Sequence, residues 1–232
     1  TPGSGVLSAT DLSPNAVAGI ANYSNVAYTF AEAIKLKAVI TGPPSLASIT
    51  SNTITVSPGT LDHFTITPAA GPYTAGTPFN ITITALDIGN NPVTPTGQTF
   101  IVTTNAGNSP SGQAPTLPSL VLADFVNGVA TKPVTLYQAV TSASITFTVT
   151  ASPSGKTGTS TPPITAVNPA NANHMAFTIQ PPATATASVV FSAQPKVAIR
   201  DLYQNIRTAD TNEITISAVK ASDGITPGSG VL

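Results

Sequence analysis

Apolar and polar residues alternate with a period of two along most of this chain. In FNITITA (79–85), Phe79, Ile81, Ile83 and Ala85 alternate with Asn80, Thr82 and Thr84. In ITFTVT (145–150), Ile145, Phe147 and Val149 alternate with threonines. Ile34, Leu36 and Ala38 are interleaved with Lys35 and Lys37, and Ile214, Ile216 and Ala218 with Thr215 and Ser217. This spacing puts one face of a strand in a core and leaves a hydroxylated or charged face in water. The stretches AAGPYTAG, IGNNP, NAGNSPSG and ASPSGKTG separate the strands with turn-forming residues. Only AYTFAEAIKLKAVI (27–40) carries residues that suit a helix, and its Ile/Leu/Ala alternation predicts strand instead. Many short strands with such turns predict an all-β fold of antiparallel sandwiches.

Composition narrows the function. Charged residues make up 7% of the 232, the formal net charge is −1, and there are 22 prolines and 17 glycines. Threonine is the commonest residue, so solubility rests on hydroxyls rather than charge. With no basic stripe, a nucleic-acid partner is not expected. No apolar run reaches the ~18 residues of a membrane span, so membrane insertion is not expected in this segment. No leader-like segment opens it, and the expectation is the interior of a longer chain. Cysteine is absent, which removes disulfides, thiolate metal sites and cysteine nucleophiles.

The chain also resembles itself. DHFTITP (62–68) is echoed by AFTIQP (176–181). Asp87 to Thr94 and Asp201 to Thr208 both read D-x-x-x-N-x-x-T, at an offset of 114. ITFTVTA (145–151) matches IKLKAVI (34–40), and TAVNP (165–169) matches TVSP (55–58), with the later copy displaced by 111. The two offsets together make 225, which is also the separation of the two copies of TPGSGVL at 1–7 and 226–232. One period of a longer array, cut inside a domain, accounts for this closure. The expected domains are the back half of a sandwich at 1–59, a complete sandwich at 60–170, and the front half of a sandwich at 171–232. Each half is to be completed by a neighbouring copy. Joined as 171–225 followed by 1–59, the halves make 114 residues, an ordinary size for an immunoglobulin-like domain.

LDHFTITPAAGPYTAGTPFNITITALDIGNNPVT (61–94) resembles the opening of bacterial immunoglobulin-like tandem repeats, and HMAFTIQPPATATASVVFSAQPKVAIRDLYQNIRT (174–208) resembles it more loosely. FVNGVATKPVTLYQ (125–138) and ITFTVTA fit the back half of the same pattern. The resemblance implies a two-sheet sandwich used in surface adhesins, stalks, filaments and spacers. The second copy departs from the pattern. It lacks the AG-x-PF turn and has Tyr203-Gln204-Asn205 where Gly-Asn is usual.

The candidate chemistry is thin. Asp87 and Asp201 open D-x-x-x-N loops and read either as calcium ligands or as Asx turns. The scarcity of nearby carboxylates (Asp62, Asp210 and Glu213) favours the turns. His63 and His174 lack partners for a zinc site. Lys35, Lys37 and Lys196 with Glu32, Glu213 and Asp124 supply the types needed for an internal Lys–Asn crosslink, but Lys35 and Lys37 alternate outward from the Ile34/Leu36 face. Two isolated histidines make no Ser/His/Asp constellation. The GKT of ASPSGKTG (151–158) lacks the first glycine of a phosphate loop and a helix after it, and reads as a hairpin. Asn22-Tyr23-Ser24 and Asn80-Ile81-Thr82 are N-glycan acceptor sequences, and Thr and Ser could take O-linked sugars. No catalytic, cofactor or metal residues are assigned, no cofactor is expected, and the protein is not expected to be an enzyme.

The function expected from these patterns is structural: a repeat unit of an extracellular, cell-surface filament or stalk. Its partner is an identical copy, joined head to tail. The poles of a sandwich lie about 30–40 Å apart, so residues 59 and 171 leave the central domain at opposite ends. The two halves therefore cannot complete each other within one chain. A head-to-tail contact that does not close on itself propagates as a fibre. Successive copies are either covalently continuous, the preferred version, or separate subunits that exchange half-domains. The competing expectation is an adhesin module that binds glycan or protein ligands, although the chain has no Trp and only five Tyr to build a sugar platform.

Overall fold

The computed structural model describes residues 3–43 and 45–219. The second TPGSGVL, at 226–232, lies outside the described residues. The fold is all-β, and no α-helix occurs among the described residues.

Residues 3–59 carry six two-residue strands: β1 (Leu7–Ser8), β2 (Ala27–Tyr28), β3 (Ala33–Ile34), β4 (Lys37–Ala38), β5 (Ile49–Thr50) and β6 (Ile54–Thr55). They pair antiparallel as β1 with β2, β3 with β6, and β4 with β5. The stretch 27–40 thus forms strands, as its alternation predicts, with breaks at 29–32 and 35–36.

A sandwich follows. One sheet runs β10 (Val129–Val134), β8 (Phe79–Leu86), β7 (His63–Pro68). The other runs β12 (Thr157–Thr159), β11 (Phe147–Ser152), β9 (Thr99–Thr104). Its registers place apolar residues opposite one another on the inner faces. Ile66 lies opposite Ile83, and Val102 opposite Val149. Ile81, Ile83, Phe147 and Val149 are wholly buried between the sheets. Phe64 meets Phe100 edge-on at 6.0 Å, and Phe79 meets Phe147 at 6.1 Å, the crossed geometry that aromatic quadrupoles favour. A parallel bridge from Ile66 to Ser160 links the edges of the two sheets.

At that edge Gly158 is required by space. A Cβ on it would stand 2.1 Å from the Phe64 carbonyl oxygen, which is backbone and cannot swing aside. Gly158→Ala is expected to push β12 off β7 and lower stability by about 1–3 kcal/mol. Chemical denaturation should show this as a lower midpoint with an unchanged slope.

Beyond the sandwich, β13 (Ala172–Ile179) pairs with β14 (Lys196–Asp201) in a lone hairpin. Its register corrects the alignment read from the sequence. FTI-P similarity matches Phe177 to Phe64, but Phe177 lies opposite Val197 as Ile66 lies opposite Ile83. Met175 and Phe177 therefore occupy the places of Phe64 and Ile66. A register shift between Phe177 and Ile179 accounts for one residue of the two-residue difference. The alternation at 214–218 predicts a strand, yet these residues form none.

Among the described residues, every buried apolar side chain lies within 64–167. On either side the same residue types are open to water. Met175 is 62% and Phe177 45% exposed, against 3% for Phe64 and 1% for Ile66. No helix among the described residues is long and apolar enough to cross a membrane.

Candidate functional site

The two D-x-x-x-N turns sit at the two ends of the central sandwich and build the same clasp twice. Asp87 ends the β8 side of its turn. One carboxylate oxygen accepts from the backbone N–H groups of Gly89 and Asn91, each at 2.8 Å. The other accepts from the N–H of Gly59, the last residue before the sandwich, at 2.7 Å. The Asn91 amide also donates to the carboxylate at 3.0 Å and to the Thr29 carbonyl at 3.0 Å, while its oxygen accepts from the Ala31 N–H at 2.8 Å. One turn thus grips both the linker at Gly59 and the loop at 29–31.

Asp201 and Asn205 repeat this geometry against the other end. Asp201 accepts from Tyr203 N–H at 2.9 Å, from Asn205 N–H at 2.8 Å and from Ala170 N–H at 2.9 Å. Asn205 donates to the Tyr137 carbonyl at 2.8 Å and accepts from the Ala139 N–H at 2.9 Å. All four side chains are buried, and their hydrogen bonds go to backbone groups and to one another. The Asx reading holds locally, and the reach across the joint goes beyond it. The sequence signal was present: Asn recurs four residues after Asp in both turns, although an Asx turn alone does not need it.

The joints differ where the second copy departs from the first. Gly89 lets the Thr29 carbonyl close in, since a Cβ there would be 2.5 Å from that oxygen. Tyr203 takes the corresponding place at the second joint. Its ring packs edge-on against Tyr137 at 4.9 Å and over Gly76, where a Cβ would lie 2.1 Å from the phenol oxygen. Arg207 ties the second joint further, pairing with Asp210 at 2.6 Å and donating to the Ala170 carbonyl.

Burial pushes the Asp87 carboxyl up, but the hydrogen bonds from Gly59, Asn91 and Gly89 outweigh it and hold it below the ordinary value of 3.8. A carboxyl with a depressed folded value contributes stability above its unfolded value and loses it as pH falls through the folded one. The melting temperature is therefore expected to fall below about pH 4. The fall should be shallower in Asp87→Asn, as thermal melts from pH 6 to 2 will show.

The other candidates stay apart. His63 touches Asp62 at 3.2 Å and His174 touches Gln204 at 3.2 Å, at separate joints. Lys156 of the GKT hairpin pairs with Asp62 at 2.8 Å, and Asp124 pairs with Lys132 at 2.7 Å. Glu32 accepts from the Tyr28 hydroxyl and from Ser4 N–H. Lys35, Lys37 and Lys196 are exposed, and none of them meets an acidic partner among the described residues. No group of three metal-ligating side chains occurs among the described residues. Asn22 and Asn80 are both exposed.

The remaining features are two open apolar grooves. Residues 3–59 hold one of about 330 Å³ lined by Leu7, Leu12, Tyr23, Val26, Leu36 and Ile49. A shallower one of about 270 Å³ lies between Met175, Phe177 and Val197 on the hairpin and Ile214 and Ile216 beside it.

No protein-family model and no curated protein matches this chain. Among solved structures, FdeC, described as a broadly conserved Escherichia coli adhesin, aligns with a TM-score of 0.40 at 13% identity, over 81% of this chain and 55% of that one. This chain thus spans about half the length of that structure, and a likeness of this strength assigns it no role.

Proposed function

We propose that this protein is a non-catalytic structural repeat of an extracellular filament or cell-surface stalk, assembled head to tail by completing split sandwiches between copies. One observation carries the reading. The central sandwich buries its apolar faces, while Met175 and Phe177, in the places of Phe64 and Ile66, stand 62% and 45% exposed among the described residues, with only the irregular stretch around Ile214 and Ile216 beside them. The repeated clasp supports it, because a joint built twice from the same residues suits an array in which every domain docks on the one before. The proline-bearing linkers at 57–59 and 168–170 stiffen such an array. Exposed Asn22 and Asn80 are its glycan acceptors. Negative-stain electron microscopy of the purified chain tests the reading. Unbranched fibres with a repeat of about 60–80 Å, two sandwiches long, are expected. Isolated particles of one size at high concentration would sink it.

A further inference from the structure

The hairpins of 3–59 reproduce the back half of the central sandwich bond for bond. In the sandwich, Ser160 N–H donates to the Phe147 carbonyl at 2.8 Å, and Phe147 N–H donates to the Ser160 hydroxyl at 3.0 Å. In the half-domain, Ser51 N–H donates to the Leu36 carbonyl at 2.8 Å, and Leu36 N–H donates to the Ser51 hydroxyl at 3.0 Å. Thr148 opposite Thr159 corresponds to Lys37 opposite Thr50, and Val149 opposite Gly158 to Ala38 opposite Ile49. Residues 36–40 are therefore the counterpart of β11.

In the sandwich β11 has strands on both edges, β12 on one and β9 on the other. Among the described residues its counterpart has only β5, on the β12 side. The free edge is the one β9 would take.

The counterpart of β9 is at the other end of the chain. Val93 N–H donates to the Ala85 carbonyl at 2.9 Å, and Arg207 N–H donates to the Ile199 carbonyl at 3.0 Å, both 114 residues on. Carried forward without a gap, that offset sets Ile214 in the place of Phe100 and Ile216 in the place of Val102. Residues 214–218 alternate as β9 does but form no strand, and they rest beside the exposed hairpin. A strand whose partner belongs to another copy has no ladder to join within its own chain.

We infer that residues 214–218 pair antiparallel with residues 36–40 of a second copy of this chain, in the register of β9 on β11. This rests on the head-to-tail reading and specifies its contact. In the sandwich Val102 faces Val149 and Phe100 faces Ala151. The intermolecular ladder sets Ile216 against Ala38 and Ile214 against Ile40. Both inward pairs stay apolar, as the core face of the ladder requires. The outward pairs are Thr215 with Val39 and Ser217 with Lys37. The parallel edge contact is not copied so closely. Ile49 replaces Gly158, and its side chain forbids the same approach to β13, so the antiparallel ladder sets the register.

The chain has no cysteine, so paired cysteines can test this cleanly. Residues opposite each other in an antiparallel pair have Cα atoms about 4.5–5.5 Å apart, within reach of a disulfide, whereas diagonal positions are about 7–8 Å apart. The double variants Thr215→Cys/Val39→Cys and Ser217→Cys/Lys37→Cys are expected to oxidise to ladders of trimers and longer on a non-reducing gel. The crossed variants Thr215→Cys/Lys37→Cys and Ser217→Cys/Val39→Cys use the same four sites and should link several-fold more slowly. Each single variant can give only dimers. Crossed pairs that link as fast as the matched ones overturn the register. So do matched pairs that stay unlinked while the unmodified chain forms fibres, and in both cases the head-to-tail reading stands. An unmodified chain that forms no fibres overturns both.

Discussion

Replacing Phe147 with alanine is expected to lower the stability of the chain by about 3–5 kcal/mol, the largest effect of any single change considered. Phe147 is 0% exposed and packs edge-on against Phe79. Its removal strips the transfer free energy of a full aromatic ring and leaves a cavity between two sheets that the β8 and β11 ladders hold in place. Leu36 fills the same position in residues 3–59 and is only half-buried, as expected of a face that the proposed assembly covers with a second copy. Leu36→Ala should therefore cost the isolated chain well under half as much, and Phe177→Ala should behave like it beside Ile66→Ala. Denaturant titrations of the four variants will measure the contrast. If Leu36→Ala and Phe147→Ala cost the isolated chain the same, the two halves are finished within one chain and the assembly reading fails.

Replacing Asp87 with alanine is expected to cost about 2–4 kcal/mol. The carboxylate is the common acceptor for three backbone N–H groups, those of Gly59, Gly89 and Asn91, and for the Asn91 amide. Alanine leaves these donors buried without partners, and each carries its desolvation penalty. Asn91 then loses the group that orients it, and its bonds to Thr29 and Ala31 across the joint weaken in turn. Loss of stability should come with faster amide exchange at Gly59 and Ala31. Asp87→Asn keeps an acceptor for some of these donors and should lie between wild type and alanine. Unchanged exchange at Ala31 in Asp87→Ala would show that the clasp does not hold the joint.

Much of the sandwich was legible in the sequence. The period-two stretches at 79–85 and 145–150 became β8 and β11, since each finds a partner strand close by in the chain. At 214–218 the same pattern gave no strand, because alternation reports which face is apolar and not where the paired edge lies. Local similarity also misplaced Phe177 by two residues, since pairing register is set by the partner strand and shifts along β13 without altering the string of letters. The clasp was half legible. Asp87 and Asp201 read as turn residues, but the contacts of Asn91 and Asn205 cross to residues 60–68 positions away, and no local pattern reports contacts at that range. The joint is visible only as a coincidence of two copies with different internal offsets.

The central claim is that each copy finishes its neighbour. Light scattering on the 23.3 kDa chain across a hundredfold range of concentration tests it most directly. The account predicts an average mass that rises with concentration through whole multiples of the single chain without reaching a plateau. A mass fixed at one chain throughout, or fixed at two, would contradict it.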